Sequence, residues 1–432
     1  MKMANMDDYF DVVIVGTGAA GLYCALNLPA RYRILLLTKQ KADESDSFLA
    51  QGGICMQHGE ADYRPFFDDT MRAGHYENNP ATVDLMIRSS NSIIRDLVRR
   101  GVRFARDDHG ALRFTREGAH SRPRILFHED ITGHEITQTL LNEVLRCENI
   151  ELREHTTLLD FFADASACGG VIAVGPDGEP RAIEAGAVVL ACGGIGGLYK
   201  NSTNFPHITG DAIAMALRHG VACEHLDYIQ IHPTTLYSHR KGRRFLISES
   251  VRGEGALLLD KNGNRFTNEL QPRDVVSAAI RAQMEKDGTD HVWEDMRPIG
   301  EAAIREHFPN ILERCEEEGY DPIHEPIPVV PAQHYFMGGI TADLSSRTAL
   351  PRLYACGETC CNGVHGRNRL ASNSLLESLV FAQRAADDIL YGEPPVFTGD
   401  KPDLAPYREQ EPLFAAYRQE VLTAIERSKN HE

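Results

Sequence analysis

A chain of 432 residues with 42% hydrophobic and 25% charged residues has material for two or three domains with sizeable cores and reads as an ordinary globular protein. Its formal net charge of -17 excludes the basic footprint that nucleic acid or an anionic membrane surface requires, so a site for an anionic substrate has to concentrate positive charge locally. No stretch approaches the roughly 20 apolar residues of a membrane span, the first ten residues (MKMANMDDYF) carry no secretion leader, and the scattered cysteines read as reduced thiols of a cytoplasmic protein with no metal site.

The chain opens on a dinucleotide-binding pattern. Val12 to Val15 form a short apolar run suited to a buried parallel strand, and Gly16, Gly18 and Gly21 follow in GxGxxG spacing. Gly16 lets the chain turn off the strand, Gly18 lets backbone approach a pyrophosphate, and Gly21 lets the next helix pack on the sheet with its free N–H groups toward the phosphates. A second strand is predicted over Ile34 to Leu37. Thr38 and Lys39 follow it where a nicotinamide site would place a ribose-binding acid, which weakens the case for NAD. In Asp46 to Cys55 (DSFLAQGGIC), Gln51, Gly52 and Gly53 read either as a loop exposing backbone to a planar ligand or as a simple turn.

Apolar spacing predicts a scaffold helix from Pro80 to Gly101 and another from Ile131 to Arg146, and between them the charge-dense Arg113 to Asp130 reads from composition as a solvated loop. Alternation and turns up to Ala185 predict an antiparallel excursion, and Ala187 to Gly197 a buried strand that rejoins the parallel sheet and opens into glycines. Asp211 reads as the N-cap of a helix stopping at Gly220. From about 222 to 334 short strands and loops suggest an inserted domain. Within it, alternation puts Gln230 and His232 on one strand face and Ile229 and Ile231 on the other, as in a pocket wall. Arg273 falls in the first turn of a helix, where the macrodipole disfavours a cation, so it needs a partner or a purpose; the residues alone suggest a carboxylate anchor. His334 to Ile340 and Arg352 to Thr359 return to the first domain's character. Ser372, Asn373 and Ser374 then offer N-caps for a helix burying Leu375, Leu376, Leu379 and Val380, its N-terminus toward a developing anion. Past Tyr391 the chain is Pro-rich and charged, with a short amphipathic helix from about Leu413 to Ile425.

In this order and spacing, Gly16 to Gly21, AQGG at Ala50 to Gly53, HPT at His232 to Thr234, RGEG at Arg252 to Gly255, PRD at Pro272 to Asp274, HYFMGG and ASNSLLE resemble the succinate dehydrogenase, fumarate reductase and L-aspartate oxidase flavoprotein superfamily, from about Tyr9 to Tyr391. The resemblance implies an α/β fold: a Rossmann-like FAD-binding domain with an inserted α+β capping domain. Its parts would be 1–225, the capping domain 226–334, the second FAD segment 335–395, and a short tail 396–432 in place of the family's helical C-terminal domain. Within the superfamily, Thr115 to Ser121 is most similar to the L-aspartate oxidase family, whose loop glutamate, Glu117 here, is implied to meet the substrate's amino group. Asp46 stands where fumarate reductases and succinate dehydrogenases carry a histidine linked to FAD, which implies non-covalent FAD.

The resemblance also implies FAD contacts at Gly16, Gly18, Ala19, Gly21, Lys39, Ser47, Gln51, Gly52, Gly53, Asp211, Glu358, Ser374 and Leu375. It assigns Gln230, His232 and Ser248 to one substrate carboxylate, His334 and Arg369 to the other, Glu117 and Arg252 to completing the ring, and Arg273 to proton transfer. Two carboxylates and one ammonium ask for two cationic or donor clusters and one carboxylate. The implied activity is oxidation of L-aspartate to iminoaspartate with oxygen or fumarate as acceptor, supplying quinolinate for NAD biosynthesis and coupled to quinolinate synthase. A soluble fumarate reductase and a non-catalytic flavin-binding protein are the alternatives.

Overall fold

The computed structural model describes residues 9–240 and 242–430, so the reading of the N-terminal leader lies outside the described residues except at Tyr9 and Phe10. β1 (Tyr9–Val15), α1 (Ala19–Asn27) and β2 (Ile34–Leu37) form the first parallel unit, with Val12 opposite Ile34 and Val15 opposite Leu37. A Cβ on Gly16, whose φ is +115, would lie 2.0 Å from the Ala191 carbonyl oxygen, and one on Gly21 would lie 1.9 Å from that of Gly16. The first glycine permits the turn; the second lets α1 lie against it. β3 (Ile54–Cys55), α2 (Tyr63–Ala73) and α3 (Pro80–Arg100) follow, α3 being capped by the Asn79 side chain on Ala81 N and stopped at left-handed Gly101. β4 (Ile125–Leu126) pairs with β3, α4 (Thr132–Val144) follows, and β5 (Ile150–Arg153) extends the parallel sheet beside β2.

β6 (Thr157–Ala163), β7 (Cys168–Val174) and β8 (Pro180–Leu190) are the antiparallel excursion. β8 begins earlier than its apolar run suggests: its first half pairs with β7 and its second half returns parallel to β1. In α5 (Asp211–Arg218) the N-cap is left-handed Gly210, not Asp211. Asp211 is already helical, and its carboxylate accepts from Thr209 Oγ1 and pairs with Lys39 instead.

After β9 (Cys223–Glu224) comes a second layer: β10 (Ile229–Leu236), α6 (Glu249–Gly253), β11 (Leu257–Leu259), α7 (Arg273–Asp287), β12 (Val292–Asp295), α8 (Glu301–His307), α9 (Pro309–Glu317) and β13 (Ile327–Phe336). Its four antiparallel strands run in the order β10-β13-β12-β11 over a core of their own that includes Leu236, Ile247, Val276, Ile280, Ile311 and Val329. β13 runs through position 334, so a boundary there falls within a strand. The chain then forms β14 (Gly339–Thr341), β15 (Leu353–Ala355), β16 (Cys360–Cys361), α10 (Asn373–Tyr391) and α11 (Gln410–Lys429). α11 is longer than its sequence pattern suggests and buries Tyr417, Val421 and Ile425 against α5 and the main sheet.

The main sheet has seven strands in the order β5-β2-β1-β8-β7-β6, with β15 also parallel to β8. Helices α1, α3, α4 and α10 pack on one face, α5 and α11 on the other. The carboxyl ends of β1, β2, β8 and β15 therefore come to one side, where ligands of open α/β sheets bind. Among the described residues no helix is long and apolar enough to cross a membrane.

Candidate active site

The loops leaving these four strands line a cavity of about 410 Å³ that continues beneath the second layer. Its first half is built from backbone and hydroxyls. Gly16, Thr17 and Gly18 lead into the α1 N-terminus, and Ala19 N donates to Ser47 Oγ at 3.0 Å. Lys39, two residues past β2, pairs with Asp211 at 2.5 Å, both lining the wall. Gln51, Gly52, Gly53, Glu358, Ser374 and Leu375 line it too. A Cβ on Gly52 would meet Glu117 Oε1 at 2.3 Å, so only glycine leaves this part of the floor open. Thr17 Oγ1, Ser45 Oγ, Asp46 Oδ2 and Gln51 Oε1 are buried along the wall without a protein partner. A trough of glycine backbone, helix N–H groups, hydroxyls and one lysine suits a pyrophosphate with polar groups on either side, so these residues fit FAD. Two of the residues expected at FAD do not line the cavity. Ala19 and Gly21 lie behind the wall, Ala19 fully buried and Gly21 spent on the packing of α1.

The other half is a ring of charge. His232 on β10 and His334 on β13 stand with ring centroids 5.2 Å apart, because adjacent antiparallel strands bring them together. His232 Nε2 and Arg369 Nε are buried without a partner at the cavity wall, and His334 Nδ1 meets Thr203 Oγ1 at 2.8 Å. Arg273, the first residue of α7, has the partner its place demands: its Nε donates to Glu249 Oε2 at 2.5 Å. Burial would raise Glu249, but Arg273 and Arg252 outweigh it and hold this carboxyl below its usual range. Burial lowers both histidines well below their ordinary value, with Arg273 adding to the effect, so they are neutral donors. Burial, then Arg273, brings Arg369 down to about 10, which leaves it charged at neutral pH. Ser248 lines the cavity while its Oγ accepts from Ser250 N at 3.3 Å as the N-cap of α6.

Two of the residues expected at the substrate, Gln230 and Arg252, do not line the cavity. Gln230 sits behind the wall: its Oε1 accepts from Arg273 Nη1 at 2.9 Å and Arg369 Nη2 at 3.1 Å, so it orients both guanidinium groups. Arg252 is one turn past Glu249 on α6, 2% exposed and outside the cavity, with Nη1 on the Glu269 carbonyl at 2.7 Å. Ser372 occupies the N-cap position of α10 but makes no cap bond; its Oγ donates to Glu117 Oε2 at 2.7 Å. The segment read as a solvated loop is exposed at Arg113, Arg116 and Arg122 but interior elsewhere: Arg124 is fully buried between Asp62, Asp69 and His120, and Glu117 is 4% exposed. Glu249, Ser250, Ser372 and Thr203 were not singled out as site residues. Their partners are distant in sequence, and only the cation at the start of α7 signalled a missing acid.

The family described as an FAD binding domain matches residues 11–375. The L-aspartate oxidase of Clostridium perfringens is 48% identical over 380 residues, which cover 88% of this chain and 86% of the relative. That of a Nostoc species is 44% identical over 442 residues, 98% of this chain and 76% of the relative. Among solved structures, E. coli quinol fumarate reductase is similar with a TM-score of 0.83 at 30% identity, covering 94% of this chain and 74% of that one. The chain therefore belongs to the L-aspartate oxidase family, FAD-dependent oxidoreductases built on the flavoprotein fold of succinate dehydrogenase and fumarate reductase.

Proposed function

We propose that the cavity oxidises L-aspartate to iminoaspartate, with fumarate or oxygen as electron acceptor, as the first step of NAD biosynthesis through quinolinate in the cytoplasm. The observation that carries this reading is the charge inventory of one ring: Arg369, Arg273 already paired with Glu249, two neutral histidines, and a second buried carboxylate, Glu117, that makes no salt bridge among the described residues. A dicarboxylate with an ammonium group matches it; a plain dicarboxylate leaves Glu117 uncompensated. FAD, held non-covalently between Gly16 and Leu375, supplies the acceptor for the hydride equivalent leaving the substrate's α-carbon.

The chain's own residues do the rest. His232 and Ser248 bind one carboxylate, His334 and Arg369 the other, and Gln230 keeps Arg369 and Arg273 in fixed orientation. Arg273 moves a proton between substrate and Glu249, its short contact with that carboxylate giving the proton somewhere to go. Coupling to quinolinate synthase consumes the reactive imine product.

The test is anaerobic absorbance of the bound flavin after adding L-aspartate, with succinate in parallel. Bleaching by aspartate is expected; bleaching by succinate alone would replace this reading with a soluble fumarate reductase. Arg273→Leu should retain FAD and lose at least about 100-fold in the bleaching rate, and a rate near wild type would remove its proposed role.

A further inference from the structure

Glu117 is gripped by two hydroxyls that come from different layers. Ser372 Oγ, from the turn before α10, donates to Oε2 at 2.7 Å, and Ser250 Oγ, from α6 of the second layer, donates to Oε1 at 3.2 Å. A serine has one hydroxyl proton, so each has committed it to this carboxylate. Ser372 is held at φ 61, a left-handed conformation uncommon outside glycine, and it forgoes the capping bond that a serine at a helix start ordinarily makes. Both departures serve one end, delivery of the hydroxyl to Glu117.

The neighbourhood fixes what this grip does. The charged and titratable groups facing Glu117 are Glu249 on α6, Arg273 on α7, Arg369 from the loop before α10, and the Cys55 thiol on β3. Burial and then Glu249 push the Glu117 carboxyl above its usual range, and Ser372, Arg273 and Ser250 limit that rise. The two hydroxyls thus oppose protonation of a buried acid, and each leaves its oxygen a lone pair for a cation. Ser250 supplies its share only when the second layer is seated over the first.

We propose that Ser250 and Ser372 are positioning residues that set the preference for an amino-dicarboxylate over a plain dicarboxylate, by keeping Glu117 ionised and aimed at the substrate's ammonium group. This rests on the reading of Glu117 as the partner of that ammonium. A purely structural role for the serines would affect every ligand alike; a role through Glu117 affects only ligands that carry the amine.

The experiment uses the FAD-loaded enzyme and compares steady-state oxidation of L-aspartate with competitive inhibition by succinate across pH, in Ser250→Ala, Ser250→Thr, Ser372→Gly and Glu117→Gln. Ser372→Gly keeps the left-handed backbone without strain and removes the hydroxymethyl group. Ser250→Ala and Ser372→Gly should each lower kcat/KM for aspartate about tenfold, mainly through KM, with the succinate inhibition constant within about twofold of wild type. Loss of a bond to the ionised form raises the Glu117 pKa, so the rising limb of the aspartate pH profile should move up by about half a unit or more. Ser250→Thr should restore both. Equal losses for aspartate and succinate, or an unmoved limb, would overturn the proposal. Glu117→Gln separates the two levels: if it weakens aspartate and succinate equally, the ammonium reading itself fails. If it is selective for aspartate while the serine variants are not, only the role of the serines falls.

Discussion

Glu294 lies on β12 with no exposed surface, and neither of its oxygens has a hydrogen-bond partner. Burial raises its carboxyl from an ordinary 4.5 to about 8, against the pull of Arg252 and with the help of Glu269. It is therefore a neutral acid near pH 7. In the unfolded chain the same group ionises at its ordinary value, so the folded state binds the extra proton between the two. The associated stability is fully present below about pH 4.5 and is lost as the pH rises toward about 8. Glu294→Gln keeps the shape and removes the titration. Its thermal midpoint should exceed wild type by about 3 °C at pH 8 and match it within about 1 °C at pH 4.5. A constant difference across that range would mean that Glu294 is not the titrating group.

At the scale of elements, the two layers are joined by the packing of Phe336 and Ile229 on the main-sheet cluster and by polar bonds. α9 begins after Phe308, which has no side-chain acceptor to cap it, and the cap comes from across the interface. Asp130, just before α4, accepts from Asn310 Nδ2 at 2.5 Å and Ile311 N at 3.0 Å, so a residue of the first layer satisfies a helix of the second. Asp130→Ala should cost about 1 to 2 kcal/mol, read as faster hydrogen exchange in α9 and a raised KM for aspartate. Unchanged exchange in α9 would show that the bond carries no stability. This contact also marks the limit of what sequence could reveal. The βαβ opening, the helix cores and the placement of Gln230 and His232 follow from periodicity, a local property. Asp130, Glu249 and Ser372 act through partners far along the chain, and composition assigned the first of these to a solvated loop. Glu249 was one step from legible, since a cation at the start of α7 required an acid; Ser372 was hidden because its type suits the cap position that its conformation forgoes.

For the whole molecule, the core of the second layer is separate from the clusters on the two faces of the main sheet, and the residues of the cavity come from both layers. A layer with its own core, tied to its neighbour by hydrogen bonds and by the apolar ends of β10 and β13 at Ile229 and Phe336, opens at a lower free energy than the global unfolding of either. FAD and substrate would touch Gly16 and Lys39 on one side and His232 and Arg273 on the other, so they favour the closed arrangement by mass action, about 2.7 kcal/mol at a concentration 100 times the dissociation constant. Amides of α7 and α9 should therefore exchange faster than those of β1 and β8 in the apoenzyme, and slow by about tenfold or more with FAD and succinate bound, with little change in β1 and β8. Equal exchange in both layers of the apoenzyme would mean that they open as one unit, and the polar contacts at Asp130 and Glu117 would then be parts of a single cooperative core.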